Sequence, residues 1–85
     1  MKTIYYLITT ERGNQIKDID AFDSYEKALA ELKSRYEKAP KEFEQKGLKH
    51  FESHYNDKDN TAYIMDYYTY YSISFEIFEK VLEVN

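Results

Sequence analysis

The chain contains no cysteine, only two glycines and a single proline among its 85 residues. The absence of cysteine excludes a disulfide framework and any metal site built on thiolates, and it is typical of proteins of a reducing cytosol. The scarcity of glycine and proline favours regular secondary structure with few sharp turns. Because only Gly13 and Gly47 are available, the sequence has neither a P-loop nor a G-x-G-x-x-G nucleotide-binding motif.

Long apolar runs are absent as well. The N-terminus, M-K-T-I-Y-Y-L-I-T-T, places Lys2 before an apolar run of about six residues, which is too short for a signal peptide. No stretch approaches the roughly 20 apolar residues of a membrane span. We therefore expect a soluble cytoplasmic protein with no membrane partner, folded as one compact domain over residues 1–85.

The charge is distributed unevenly along the chain. Twelve basic and 16 acidic residues give a net charge of −4. In residues 61–85 a single base, Lys80, faces four acids, Asp66, Glu76, Glu79 and Glu83. Such a segment repels phosphate backbones, which argues against direct binding of nucleic acid, and attracts a basic protein surface.

The first 22 residues predict a β-hairpin. Thr3–Thr10 is apolar on both alternating faces, which indicates an interior strand. Residues 11–14, with Gly13, form the turn. Gln15–Phe22 has a weaker pattern, with Ile16 placed opposite Ile19, and we expect an edge strand with a bulge.

A helix follows this hairpin. The residues D-S-Y-E from Asp23 resemble a capping box, in which the Asp23 carboxylate would accept from the Glu26 amide. Apolar side chains then recur at helical spacing. Pro40 should end this helix near Lys38, because proline disfavours helical geometry in the residue before it.

The next segment has two interpretations. Pro40 suits the first turn of a second helix, in which Phe43, Leu48, Phe51 and Tyr55 form one stripe. Alternatively, the helix stops at Gly47 and residues 48–55 form a strand. The spacing favours the second helix.

Residues 61–82 contain neither glycine nor proline and are too long for one ordinary strand. We predict two strands, 61–67 and 70–82, with a bulge near Ile77–Phe78; a single long, bent strand is the alternative. The fold class is therefore α+β, a mainly antiparallel four-stranded sheet in the order β-β-α-α-β-β with both helices on one face. The other sheet face has nothing to cover it.

Catalytic and metal sites are poorly supported. His50 and His54 stand at a spacing that could share a metal, but no third histidine exists. The segment 57–60 begins like a calcium loop, yet Ala62 and Tyr68 occupy the positions of its glycine and glutamate. No G-x-S-x-G elbow is present, and the acidic pairs Asp18/Asp20 and Glu76/Glu79 fit ordinary surface charge. We expect no enzyme activity, no metal and no cofactor.

Half of the ten tyrosines fall between residues 63 and 71. Alternation along the last strand predicts that Tyr71, Ile73, Phe75 and Ile77 face the core and that Tyr68 and Tyr70 lie with the serines on the uncovered face. Tyrosine, serine and acid side by side are typical of protein-binding surfaces. The candidate partner-binding residues are Tyr63, Tyr67, Tyr68, Tyr70, Ser72, Ser74, Glu76 and Phe78.

The segment A-F-D-S-Y-E-K-A-L-A-E-L from Ala21 lies between a tyrosine-rich hairpin and an aromatic C-terminal strand. In size, charge and style the whole chain resembles the small acidic proteins of bacterial phages and mobile elements, among them inhibitors such as anti-CRISPR proteins. The resemblance implies a bacterial host and a non-catalytic protein that blocks a basic nucleic-acid-processing defence enzyme. Two alternatives stay open: a protein that sequesters a small nucleotide through tyrosine stacking, and a homo-oligomer, such as a homodimer, that pairs its own tyrosine face.

Overall fold

The computed structural model describes residues 2–56, 58 and 60–83. Five strands and one helix follow one another in the order β-β-α-β-β-β. Their bounds are β1 Lys2–Glu11, β2 Gln15–Phe22, α1 Tyr25–Gln45, β3 Phe51–Asn56, β4 Thr61–Asp66 and β5 Ser72–Leu82. The expected four-stranded sheet with two helices is therefore wrong.

All five strands belong to one antiparallel sheet in the order β2-β1-β5-β4-β3. The helix packs on one face, and the core between the two layers consists of Leu7, Ala28, Leu32, Ala39, Phe43, Ala62, Ile64, Ile73, Phe75 and Ile77. No helix in the described part of the chain combines the length and apolar character needed to cross a membrane.

The helix begins one residue later than the capping-box prediction requires. Ser24, in an extended conformation, accepts from the Lys27 amide at 3.2 Å and is the N-cap. The Asp23 carboxylate instead contacts Nζ of Lys27 at 3.0 Å.

The same helix continues through Pro40, so the prediction that it ends near Lys38 is wrong. Ala39 and Phe43 are both buried against the sheet, and their packing on either side of Pro40 outweighs the hydrogen bond that proline cannot make. Gly47 then ends the helix. Its φ of +80° and the hydrogen bonds from Gly47 to the Glu44 carbonyl and from Leu48 to the Phe43 carbonyl form a Schellman motif.

The helix stops at Gly47 and the strand β3 follows at Phe51–Asn56, so the alternative interpretation is correct, although the strand begins three residues later than expected, and the second helix is wrong. Phe51 and Tyr55 both lie on the side of the sheet that faces the helix, where Phe51 packs on Phe43 with ring centroids 5.5 Å apart. A spacing of four residues puts two side chains on one face in a helix and in a strand alike. The spacing of Phe51 and Tyr55 therefore fits a helix and a strand equally well. Gly47 is the residue that indicates where the helix ends.

The edge-strand prediction for β2 is confirmed. The pairing changes register between Thr9–Asp18 and Thr10–Ile16, which leaves one extra residue, Lys17, in β2. Because of this bulge, Ile16 lies on the same side of the sheet as Ile19. Strict alternation along the strand predicts that the two lie on opposite sides. The bulge expected near Ile77–Phe78 is absent, because the β1–β5 register runs unbroken.

Candidate protein-binding face

The sheet face opposite α1 is not covered by any element of the described chain. Residues directly opposite one another in an antiparallel ladder project to the same side. Buried Ile73, Phe75 and Ile77 face the helix, so the residues between them in β5 face away from it. We call this uncovered surface the open face, and β5 contributes to it Ser72, Ser74, Glu76 and Phe78.

One half of the open face is apolar. Ile16 and Ile19 of β2 are 61% and 56% exposed, and Phe78 of β5 is 46% exposed. Between them lies β1, whose Tyr6 pairs with Phe78 and whose Ile8 pairs with Ile19. Three neighbouring strands thus present a continuous patch of large apolar side chains to solvent, which we call the apolar patch: Ile4, Tyr6, Ile8, Ile16, Ile19 and Phe78.

The other half of the open face is aromatic and polar. Tyr63 of β4 pairs with Ser74, and its ring stacks on His54 of β3 with centroids 4.9 Å apart. Beside them, the Glu52 carboxylate accepts from the Tyr67 hydroxyl and contacts the His54 imidazole. The hydrogen bond from Tyr67, followed by that from His54, lowers the pKa of Glu52, and the same carboxylate raises the pKa of Tyr67.

The tyrosines of the β4–β5 turn do not lie where the alternation placed them. Tyr67, Tyr68 and Tyr70 all fall between Asp66 and Ser72, outside both strands. The Tyr67 hydroxyl reaches the open face at Glu52, whereas Tyr68 packs its ring on His50 with centroids 4.8 Å apart. The expectation that Tyr68 and Tyr70 are strand residues beside Ser72 and Ser74 is therefore wrong.

Asp66 holds this turn together from inside. Its carboxylate is only 2% exposed and accepts from the Thr69 amide at 2.8 Å and from the Thr69 hydroxyl at 2.7 Å. These bonds, the hydroxyl first, lower the pKa of Asp66. One of the acids counted toward an acidic surface is thus an internal capping group.

A cleft of about 440 Å³ lies at this end of the sheet, between the β1–β2 turn, the residues after α1 and the β4–β5 turn. Its centre is Tyr71, whose hydroxyl accepts from Nζ of Lys46 at 2.7 Å and donates to the Glu11 carboxylate at 2.5 Å. The hydrogen bond that Tyr71 donates lowers the pKa of Glu11, and the one that it accepts raises the pKa of Lys46, so both groups are charged at neutral pH. Arg12 lies 5.8 Å from the centre of the Tyr71 ring.

Sequence reasoning missed this cleft. Arg12 and Tyr71 are 59 positions apart, and no spacing in the sequence links them. Only the pairing of β1 with β5, which sets Glu11 opposite Ile73, brings the two turns together.

The structure does not bring the residues of the candidate metal sites together. His50 precedes β3 and His54 lies within it, and each imidazole packs on a different tyrosine. Among residues 2–56, 58 and 60–83, no group of three or more side chains is placed to hold a metal ion. Asp57 and Asp59 of the calcium-like segment lie outside the described residues.

The two acidic pairs also have separate surroundings. Asp20 accepts from Arg35 of α1 at 2.7 Å, which makes it part of an ion pair between the helix and β2. Glu76 pairs with Ile8 and faces the open side, whereas Glu79 pairs with Tyr5 on the helix side.

Comparison of the chain with protein-family models, with curated proteins and with solved structures gives no match.

Proposed function

We propose that the protein is a non-catalytic binding module whose open face engages another protein. The observation that carries this proposal is the apolar patch, in which Ile16, Ile19 and Phe78 are each about half exposed or more. Contiguous exposed apolar surface of this kind marks interaction sites in soluble proteins. The helix α1 covers the core face of the sheet. It leaves the apolar side chains of the opposite face exposed to solvent.

The dimensions of the face suit a protein partner. Five strands at about 4.8 Å spacing make a surface roughly 24 Å wide, and eight residues of strand extend it by about 27 Å. The product, roughly 650 Å², approaches the roughly 800 Å² that each partner contributes to a standard interface. Tyr63 and Phe78 are aromatic side chains of the kind that anchor such interfaces.

The edge of the sheet at β2 is less suited to binding than its face. The bulge at Lys17 twists the edge strand β2, and Asp18 and Asp20 add charges to it. Both features disfavour addition of a further strand. The partner is therefore expected to lie across the sheet and not to extend it beyond β2.

The charges on the open face indicate the chemistry of the partner. Glu52 and Glu76 project from the open face, and Lys2 and Lys80 lie on the same face at the far end of β1 and β5. A partner with an apolar centre and with basic side chains opposite Glu52 and Glu76 complements this arrangement. A basic groove of a nucleic-acid-processing host enzyme has this composition, and the resemblance of the chain to phage-borne inhibitors supports it as the partner class.

The test uses one double variant and a matched control. Ile19→Lys with Phe78→Ser removes two members of the apolar patch, while Val81→Thr alters a side chain that is 50% exposed but lies on the helix side of β5, opposite Thr3. Tagged proteins are used for capture from host extract, and the captured partner is then purified for binding measurements and hydrogen-exchange mapping. We expect wild type and control to bind alike, with protection on the open face, and the double variant to lose binding.

Three results would overturn the proposal. Equal binding by the double variant, at an unchanged melting temperature, would place the interface elsewhere. Protection confined to the helix side would do the same. Light scattering that shows a stable dimer of wild type and a monomer of the double variant would assign the face to a second copy of the chain.

A further inference from the structure

The cleft at the end of the sheet has the chemistry of a ligand site separate from the open face. Its walls come from three turns that are far apart in sequence, and its volume is about 440 Å³, within the range of small-molecule sites. The lining residues are Arg12, Lys46, Leu48, Thr69, Tyr70 and Tyr71.

Two cations contact one tyrosine ring, that of Tyr71, in this cleft. Nζ of Lys46 lies 4.5 Å from the centre of the Tyr71 ring, and Arg12 approaches the same ring at 5.8 Å. Glu11 offsets one positive charge through its bond to Tyr71. In the part of the chain that the structure describes, no carboxylate forms an ion pair with Arg12, which leaves its guanidinium available to an anion.

The backbone of the cleft is strained at the residues that face the ligand space. Only three described residues other than glycine have positive φ, and two of them, Arg12 at 55° and Tyr70 at 60°, line this cleft. A bulky aromatic residue is rarely found in the left-handed region, where glycine or asparagine is favoured. Such strain concentrates at binding sites, where the orientation of a side chain matters more than local stability.

The C-terminal end of α1, beside the cleft, carries little uncompensated negative charge that would repel an anion. The carbonyls of Phe43 and Glu44 accept from Leu48 and Gly47 in the Schellman motif, so their partial negative charge is satisfied. Lys46 adds a full positive charge at the same place, and its contact with Tyr71 keeps it protonated.

We propose that this cleft binds a small ligand that combines a planar aromatic ring with a phosphate, a mononucleotide being the simplest member of the class. Arg12 and Lys46 contact the phosphate. The Tyr70 ring, which is 72% exposed and lines the cleft, stacks on the planar ring. This site is independent of the proposed protein partner, since none of its lining residues belongs to the open face.

The test is a titration of ¹⁵N-labelled protein with adenosine 5′-monophosphate, followed by amide chemical shifts. We expect saturable shifts at Arg12, Gly47, Tyr70 and Tyr71. Arg12→Gln should weaken binding about tenfold, the effect of losing a charge-assisted hydrogen bond. Tyr70→Gly should weaken it comparably, whereas Tyr70→Phe, which keeps the ring, should restore most of the affinity.

Each part of the proposal can fail separately. Inorganic phosphate that binds as tightly as the nucleotide would refute the stacking role of Tyr70. Shifts that are unsaturable, or that fall on Tyr63 and His54 of the open face, would refute the site. Unchanged affinity in Arg12→Gln, with the amide spectrum otherwise intact, would refute the role of the guanidinium.

Discussion

The guanidinium of Arg35, in the middle of α1, donates to the Asp20 carboxylate of β2 at 2.7 Å. The same group donates to Glu31 at 3.0 Å and to the Thr9 hydroxyl at 3.2 Å. Arg35 therefore ties the helix to the two strands that carry most of the apolar patch. Because its side chain is only 26% exposed, these bonds are less weakened by solvent than ordinary surface pairs.

Replacement of Arg35 by methionine should destabilise the protein by about 1–2 kcal/mol, since it removes three hydrogen bonds to a charged group and keeps the aliphatic stem. The control is Lys27→Met, which removes an ion pair to Asp23 in which both side chains are about two-thirds exposed. Urea unfolding measures both free energies. A loss no larger for Arg35→Met than for Lys27→Met would show that the Arg35 contacts contribute nothing to stability.

The strain at Tyr70 makes a prediction of opposite sign. Tyr70→Gly should raise the free energy of unfolding by roughly 1 kcal/mol, because glycine adopts positive φ without a Cβ clash. Tyr68→Gly is the matched control, since Tyr68 is equally exposed, lies in the same turn and has no positive φ. We expect the control to be destabilised, because glycine there adds freedom to the unfolded chain and removes the ring contact with His50. Thermal unfolding in which both variants lose stability would mean that Tyr70 is not strained.

Predictions from the sequence are correct where the signal lies within a single strand. The alternation of Ile73, Phe75 and Ile77 was enough to define the core face of β5, and the weak pattern of Gln15–Phe22 was enough to indicate an edge strand with a bulge. Both signals arise from a single strand and need no knowledge of its neighbours.

The errors share a different cause. Proline usually ends a helix, and the sequence prediction assumes this effect for Pro40. In the structure the packing of Ala39 and Phe43 overrides this local propensity. Phe51 and Tyr55 fit two periods at once, and the cleft around Tyr71 depends on a strand pairing that no local pattern encodes. Long-range packing therefore decided the elements that local reasoning assigned wrongly.

Replacement of Pro40 by alanine tests this explanation. The variant regains an amide that can donate to the carbonyl of Tyr36, four residues earlier, and it should gain roughly 1–3 kcal/mol of stability. Lys41→Ala, at an exposed neighbouring position, should be close to neutral because lysine and alanine are both good helix formers. Chemical unfolding and helical circular dichroism provide the two measurements. A destabilised Pro40→Ala would show that the proline ring contributes packing that the helix needs.

The pKa of Asp66 predicts how the β4–β5 turn responds to acid. The hydroxyl and amide of Thr69 bind the charged carboxylate and hold its pKa below the ordinary value of 3.8. A group whose pKa is lower in the folded state stabilises the fold above its unfolded pKa, and this contribution is lost as the pH falls through the folded value. Stability should therefore decline below about pH 4 as Asp66 takes up a proton.

In Asp66→Asn the amide oxygen can accept both Thr69 bonds, so the turn is kept while this part of the acid response disappears. Unfolding measured from pH 5 to pH 2 compares the two proteins, and parallel curves over that interval would rule out a contribution from Asp66.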